Sequence, residues 1–600
     1  MTRGPSQQKD GQEEEAGRHQ DSDRDRERQI SRRKVLTALA AAGVGLAAGG
    51  AAFGPSARAG AHSVTESTYG GTGGTSPADG CSCCCVNIID YGAKGDGSDD
   101  AAAIQGALDA ARAAGKKVWI PEGRFRIDTA LSVPSHMVMD GTGELFTDVP
   151  NLNLIESIDT VNVTIMNIRL TGSGYGIQPP NTIGTPNIAG SGSGIVFAKV
   201  MNGRIENVKI TRCGGDGNTP DRNGVAGVWL TFGCQNCRVV RCAVTHCRNA
   251  INEDNYYGLE PFDNTFDNNV AEDCRFGFVT DCTTAARGLK IINNTAKRCA
   301  YGGIDINKTG HVLVQGNTLE ECGLTGQPGV FASAITVYGS VNFRVSHVSI
   351  YDNECYNNWG RGIKVAQNTY YCKIHDNTIV GSRNSGGILI QASRYYSVKG
   401  NTIVSCTGTA LYCNPVVVGT TPVGIDQSIV EGNIIHNNTQ HGIYMEQALN
   451  VNIRGNRINN NGLQAANMFY GIALASGSTG NIIDGNIVTG SNHKAGIAAL
   501  DANSKKNIVV SNYSLNNAVN MQFVSQEQFF TNNGEDRTTS GSSYIGALDL
   551  KTGDAPIFLR TSSGVPSGTS GAEMVVDEAN KLLYINCGGV WYKTDTLSPA

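Results

Sequence analysis

Residues 373–406, "KIHDNTIVGSRNSGGILIQASRYYSVKGNTIVSC", contain one structural pattern twice. A short apolar run leads into an Asn (Asn377, then Asn401), and five residues further on stands a small residue (Ser382, then Cys406). Between the copies a third apolar run begins with "GILI" at 387. The pattern extends in both directions. Runs of the same kind begin at 303, 334, 362, 410, 442, 471 and 496, reading "GIDI", "AITV", "GIKV", "ALYC", "GIYM", "GIAL" and "GIAA". The Asn column continues through Asn269, Asn294, Asn317, Asn353, Asn433, Asn456, Asn486 and Asn512. The small column takes in Cys213, Cys247, Cys274, Cys299, Cys322, Asn358, Asn438, Asn461, Ser491 and Asn517, with a mean step of about 28 residues.

A period of that size marks a solenoid, in which each unit buries its apolar face only by stacking on the next. Helical repeats need amphipathic segments of ten residues or more. These runs are three to six residues, β-branched and bounded by Gly and Asn, so they read as strands. Three short strands per turn make a parallel β-helix. Asn recurs at one corner because stacked amides bond along the axis and because Asn tolerates a left-handed backbone. The recurring Cys reads as a small buried residue stacked in the same way. Neighbouring rungs lie only about 5 Å apart, so disulfides between them are geometrically open, but reduced thiols are the expectation for most.

An open end of such a coil exposes unpaired strand backbone and needs a cover. The stretch 91–123, "YGAKGDGSDDAAAIQGALDAARAAGKKVWIPEG", supplies one. Ser98 or Asp99 can cap a helix whose apolar face is Ile104, Ala107, Leu108 and Ala111 and which Gly115 ends. A phosphate loop would carry a third Gly or Gly-Lys-Ser/Thr at the helix start, and neither is present.

Composition agrees with a turn-rich β protein: 75 Gly, 17% charged residues and 40% hydrophobic ones. A net charge of −5 argues against nucleic acid as partner. At the N-terminus a charge-dense run precedes "SRRKVLTALAAAGVGLAAGGAAFG" (31–54) and the small-residue cleavage site "ARA" at 57–59. This reads as a twin-arginine export signal over 1–59, giving an extracytoplasmic protein with no stable membrane span after cleavage. The alternative is a membrane anchor. A Gly/Ser/Cys-rich linker follows over 60–85. Its "CSCCC" at 81–85 has no assigned role.

The segment "VNIIDYGAKGDGSDDAAAIQGALDAA" with "KKVWIPEGRFRI", within 86–127, closely resembles the opening of the pectate lyase-like superfamily, in its rhamnogalacturonase- and epimerase-type branch. The resemblance implies a single-stranded right-handed parallel β-helix over 86–540 and carbohydrate, usually acidic polysaccharide, as ligand. It implies no single reaction, since lyases, hydrolases, epimerases and phage tailspike proteins share the scaffold.

Strand alternation places two columns on the outer face of the coil. One holds Asn252, Asp305, Lys364, Tyr412 and Tyr444; the other holds Asp254, Asp281, Asn307, Tyr338 and Gln391. Lys308 and Arg394 add charge nearby. Asp254 and Asp281 stand on adjacent rungs, with Cα atoms about 5 Å apart. Asp281 and Asp305 are diagonal at roughly 8 Å, inside the ~6.5–9.5 Å window in which one carboxyl protonates a glycosidic oxygen and another activates water. Asp254, Asp281, Asp305 and Lys364 are therefore the candidate catalytic group. Asn252, Asn307, Lys308, Tyr338, Gln391, Arg394, Tyr412 and Tyr444 are candidates for substrate binding.

Elimination would need a base for the proton at sugar C5 and a cation beside the sugar carboxylate. Lys308, Lys364 and Arg394 offer base or charge, and the Asp cluster offers oxygen ligands to Ca²⁺. "CRFGFVTD" (274–281) resembles a segment of alginate epimerase-type modules, which implies a site role for Asp281 alone. The preceding "AINEDN" (250–255) lacks the Tyr and His that such modules place there. Of the polygalacturonase signatures, only "RGIKV" (361–365) is distantly similar to the Arg-x-Lys motif, and no Gly-His-Gly occurs.

The tail, 541–600, breaks the repeat and alternates as a small β module containing Trp591 and Tyr592. It could cap the coil, stack on sugar or hold a trimer together. The expectation is an exported enzyme cleaving an acidic polysaccharide by elimination or hydrolysis, with a non-catalytic glycan-binding appendage protein and a uronan C5-epimerase as alternatives.

Overall fold

The computed structural model describes residues 84–174, 192–214, 225–255, 259–282, 286–323, 333–340, 342–418, 421–423, 425–525, 528–531 and 533–535, and the backbone of four strands between 559 and 593. The export signal, most of the linker, and Cys81 and Cys83 lie outside the described residues. No helix among those described is long and apolar enough to cross a membrane.

From Cys85 to Glu535 the chain winds as a right-handed parallel β-helix of three long parallel sheets. Each strand pairs with its counterpart one turn later, in register. Ile363, Ile388, Leu411 and Ile443 form one such file, all fully buried inside the coil. Packing of this kind suits β-branched residues, which fill a pleated interior with little loss of side-chain freedom.

The Asn column is a continuous amide ladder. The Nδ2 of each Asn donates to the Oδ1 of the next from Asn269 to Asn533, at 2.8–3.1 Å. The same Oδ1 also accepts a main-chain N–H, as Asn401 does from Asn377 at 3.0 Å. In this way one buried side chain per turn satisfies the polar backbone of a corner that no strand pairing reaches.

The small column follows the same logic with two residue types. Asn358 Nδ2 donates to the carbonyl of Leu319 at 3.0 Å, and the Cys322 thiol donates to that of Ala296 at 3.5 Å. Cys and Asn therefore interchange because each supplies a donor to the carbonyl of the preceding rung. The fifteen cysteines with described side chains are all free thiols. Burial pushes the thiols of Cys242 and Cys274 up to about 12, so they stay protonated and unreactive. One assignment in this column needs correction: Ser491 is exposed, and His493 occupies the position instead. Its Nε2 accepts the Asn461 N–H at 3.1 Å, and its Nδ1 pairs with Asn517 Oδ1 at 2.7 Å. A left-handed Gly490 (φ 144°) carries the two extra residues that set the register back.

The cap is helix α1 (Ala101–Ala114), which buries Ile104, Ala107, Leu108 and Ala111 and ends at a left-handed Gly115. Its N-cap position is Asp100 rather than Asp99 or Ser98, although the Asp99 carboxylate does accept the Ala101 N–H at 3.0 Å. The Asp100 carboxylate instead fills the glycine loop, accepting from the N–H groups of Lys94 (2.7 Å) and Gly95 (3.0 Å). The loop therefore encloses an anion, but one the chain itself provides.

In the tail, strands at Leu559–Ser562, Glu573–Asp577, Leu582–Cys587 and Val590–Lys593 form a four-stranded sheet. The side chains on which a trimer contact or sugar stacking by Trp591 and Tyr592 would depend lie outside the described residues.

Candidate active site

Eight successive strands of one sheet build the site: β1 (Asn249–Asp254), β2 (Phe276–Asp281), β3 (Gly302–Asn307), β4 (Ser333–Tyr338), β5 (Arg361–Tyr370), β6 (Ile388–Arg394), β7 (Leu411–Asn414) and β8 (Ile443–Glu446). Their register sets up two files on one flank. Asn252, Val279, Asp305, Thr336, Lys364, Leu389, Tyr412 and Tyr444 form the first. Asp254, Asp281, Asn307, Tyr338, Ala366, Gln391 and Asn414 form the second.

A recess of about 290 Å³ opens over β1, β2 and β3. Asn252, Asp254, Asp281, Asp305 and Asn307 all line it, so five of the sequence-selected residues meet there. The expectation that both columns face solvent fails at this end. Asn252, Asp254 and Asp305 are 2%, 1% and 4% exposed, whereas Asp281 and Asn307 are half-buried. Depth comes partly from the previous rung. Trp229 Nε1 and Thr231 Oγ1 donate to the two oxygens of Asp254 at 2.7 and 2.5 Å, and Asn252 adds a third donor at 3.1 Å.

Burial dominates the electrostatics. It pushes the Asp305 carboxyl up to about 7, aided by the neighbouring Asp281 and opposed by the Asn307 amide and by Lys364. Asn307 Nδ2 donates to Asp305 Oδ2 at 2.8 Å, while the buried Asp305 Oδ1 has no hydrogen-bond partner among the described residues. Asp254 is pushed up to about 6, also mainly by burial and less than Asp305, because three donors favour its charged form. Asp281 stays nearer to water and pairs with Lys308 Nζ at 3.0 Å. Three carboxyls on adjacent rungs thus have three different environments.

Arg248, Arg275, Asn249 and Phe276 also line the recess, and none of them is among the sequence-selected residues. A signal for the arginines exists: each follows a cysteine of the small column, as Cys247-Arg248 and Cys274-Arg275. Arg275 lies over the Tyr301 ring at 4.5 Å.

The other selected residues lie further along the coil. Tyr338 donates to Gln367 Oε1 at 2.8 Å, and Tyr412 donates to Glu446 Oε2 at 3.1 Å beside Tyr444, ring centres 5.7 Å apart. Lys364 stands two rungs from Asp305 in the same file, and burial lowers its pKa, helped by Arg361. Gln391 belongs to the outer file two rungs beyond Tyr338. Arg394 lies past the register shift that Ala366–Thr369 of β5 make against β6, opposite Tyr370 and Asp426, and does not line the recess. Ca²⁺ does not fit the Asp cluster. Among the described residues no three His, Cys, Asp or Glu are grouped to hold a metal ion, and the oxygens of Asp254 are already taken by Trp229, Thr231 and Asn252.

Between the two files Glu253 points the other way, into the coil. Its Oε1 accepts from Asn264 at 2.6 Å, Oε2 has no partner among the described residues, and burial pushes the group up to about 7. The fold thus prefers Glu253 protonated. Its contribution to stability is complete below the unfolded value of 4.5 and is lost as pH rises through about 7. Between pH 5 and 8 this should cost about 3 kcal/mol. Urea unfolding at the two pH values should show the loss in the native protein and a smaller one in Glu253→Gln.

Two family descriptions agree with this architecture. Residues 85–327 match the family described as rhamnogalacturonase A/epimerase, pectate lyase-like. Residues 282–418 and 423–517 match the right-handed β-helix region. The preneck appendage protein of Bacillus phage PZA is 26% identical over 254 residues, which is 38% of this chain and 27% of that protein. Mannuronan C5-epimerase AlgE3 of Azotobacter vinelandii is 42% identical over 106 residues, 16% of this chain and 5% of that protein. The chain therefore spans about a quarter of the length of the appendage protein it matches and far less of the epimerase. Among solved structures, the A-module of A. vinelandii mannuronan C-5 epimerase AlgE6 aligns over 76% of this chain and all of its own, at 18% identity and a TM-score of 0.39.

Proposed function

Since the chain belongs to the pectate lyase-like proteins with a right-handed parallel β-helix, we propose that it is an extracytoplasmic enzyme that hydrolyses an acidic polysaccharide in the recess over β1, β2 and β3. The observation that carries this is Asp305: a carboxyl pushed up to about 7, with a buried oxygen that none of the described residues binds, in the wall of an open recess. Such a group still holds its proton near neutral pH and can give it to the glycosidic oxygen as that bond breaks.

Asp281, paired with the Lys308 ammonium, takes the proton of the attacking water. The two residues stand on adjacent rungs and two positions apart, a Cα separation of roughly 8 Å that is compatible with a water between their carboxyls. Asp254, held by its three donors, adds negative charge where the sugar ring becomes positive. Arg248 and Arg275 provide countercharge for the sugar carboxylates, with twin-arginine export and the acidic glycan partner part of the same reading.

The carboxylate cluster favours hydrolysis over elimination for a physical reason. Cleavage through an oxocarbenium-like state develops positive charge, which carboxylates stabilise, whereas removal of a C5 proton develops negative charge, which they oppose. A second reading, proton abstraction at C5, is supported by the sequence match to a mannuronan C5-epimerase and by the lowered pKa of Lys364. Incubation with pectate, alginate and related uronans separates the two. Hydrolysis gives new reducing ends without ultraviolet absorption, elimination gives both, and epimerisation gives neither but changes the sugar composition. A polymer that is bound and left intact in every case would point to the appendage-like role. For the hydrolase, kcat/KM should fall about tenfold per pH unit above about 7, as Asp305 loses its proton.

A further inference from the structure

The chain has 18 cysteines, and none takes part in the proposed chemistry. Of the fifteen with described side chains, thirteen are buried. Five of these stack on successive rungs: Cys213, Cys247, Cys274, Cys299 and Cys322. We infer that this column makes the fold redox-gated. The coil assembles only while these thiols are reduced and then encloses them, so the chain must fold before it meets an oxidising compartment.

The thiols have a task that a disulfide would end. Those of Cys274, Cys299 and Cys322 donate to the carbonyls of Val244, Ala271 and Ala296 on the preceding rung, at 3.6, 3.8 and 3.5 Å. Oxidation removes these donors from a dry interior. Geometry sets a second limit, since a disulfide joins Cα atoms about 4.4–6.8 Å apart. Neighbours on the column, about 5 Å apart, meet that window, whereas a pairing that skips a rung spans about 10 Å. In the unfolded chain nothing enforces the choice. The column cysteines follow one another at similar intervals, so pairings that the coil forbids close nearly as easily as those it allows. Once the coil has formed, all five are 0% exposed. Burial and the Cys213 side chain push the Cys247 thiol well up, and Cys322 together with burial does the same to Cys299, so little thiolate is left to react. The position itself does not demand sulfur: Asn358 and Asn438 make the same bond to the preceding rung at 3.0 and 3.2 Å. Thiols there are tolerable only to a chain that folds under reducing conditions. The twin-arginine signal read over 1–59 fits that order of events, because such a route moves chains already folded.

The test is refolding of the full chain from guanidinium chloride in either reduced glutathione or glutathione disulfide. In the second buffer one protein thiolate attacks the disulfide and releases one glutathione, and a second protein thiolate displaces the other. Two protein thiols thus become one disulfide, and the oxidant leaves as two glutathione thiols. The reduced sample should regain the β-sheet circular dichroism and compact elution volume of the native protein. The oxidised sample should lose most of that yield, and dithiothreitol should restore it. Folded protein held in glutathione disulfide should keep its circular dichroism, with the thirteen buried thiols still free when labelled by maleimide after denaturation. Cys213→Ser, Cys247→Ser, Cys274→Ser, Cys299→Ser and Cys322→Ser combined, with Ser as at position 382, should recover part of the oxidised yield. Equal refolding of the native chain in both buffers overturns the inference, as does oxidation of the buried thiols in the folded protein. A Ser variant that folds when reduced yet gains no oxidised yield also overturns it, by moving the sensitivity off the column. The two native refoldings decide the case whether or not that variant folds.

Discussion

Replacing Asp305 by Asn should reduce polysaccharide cleavage about a thousandfold, the usual scale for loss of a general acid, with circular dichroism and binding of intact oligomers unchanged. The amide is isosteric and cannot donate the proton. The Asn307 contact at 2.8 Å is replaced without moving the backbone, because the side chain is nearly fully buried in a fixed wall. Substitution also removes a buried carboxyl whose ionisation the fold resists, so the variant should be at least as stable as the native protein at pH 8. Reducing-end release measured against pH gives the check. A variant that keeps its rate, or keeps the alkaline fall above about 7, would remove Asp305 from the reaction. Asp281→Asn should also lose activity, but it leaves the Lys308 ammonium without its partner, so its stability effect is less clean to read.

The second large effect concerns the fold. Asn401→Ala should destabilise the coil by about 2–6 kcal/mol, since two buried polar groups, the Asn377 N–H and the Ile374 carbonyl, lose partners worth about 1–3 kcal/mol each. Asn377 Nδ2 keeps the carbonyls of Ile350 and His375. The Asn377 N–H and Nδ2 lose the Oδ1 they share at 3.0 and 2.9 Å, and the Ile374 carbonyl loses a donor at 2.8 Å. In a solenoid each rung is held only by its neighbours, so the damage should spread to adjacent turns. Hydrogen exchange should show lost protection around Asn377 and Asn433 before the ends of the coil. Asn437→Gly provides the contrast. Asn437 sits at an exposed corner with φ 57°, a backbone that glycine adopts without strain, and its change should register within about 0.5 kcal/mol.

Much of the site could be read from the sequence because strand register is a counting problem. Once the Asn column fixes the period, Asp254 opposite Asp281 and Asp305 one rung on and two residues back follow from alternation alone. Counting could not give depth. Trp229, Thr231 and Asn252 close over Asp254 through side-chain reach, and the buried state of Asp305 depends on neighbours from other turns. Arg248 and Arg275 were missed for a related reason: they precede the regularly alternating part of each strand, where the chain is still leaving a corner and period two does not say which way a side chain points. The His493 substitution in the small column has the same origin, since two inserted residues at Gly490 shift the count locally.

The sequence by itself determined the coil, its cap and the order of residues along its flank, because short-range periodicity and hydrogen-bonding chemistry repeat every turn. Only the tertiary structure decided which carboxyl keeps its proton and which one pairs with Lys308. Those properties depend on how much water and which charges surround each group, and that is set by side chains brought together from turns far apart in the chain.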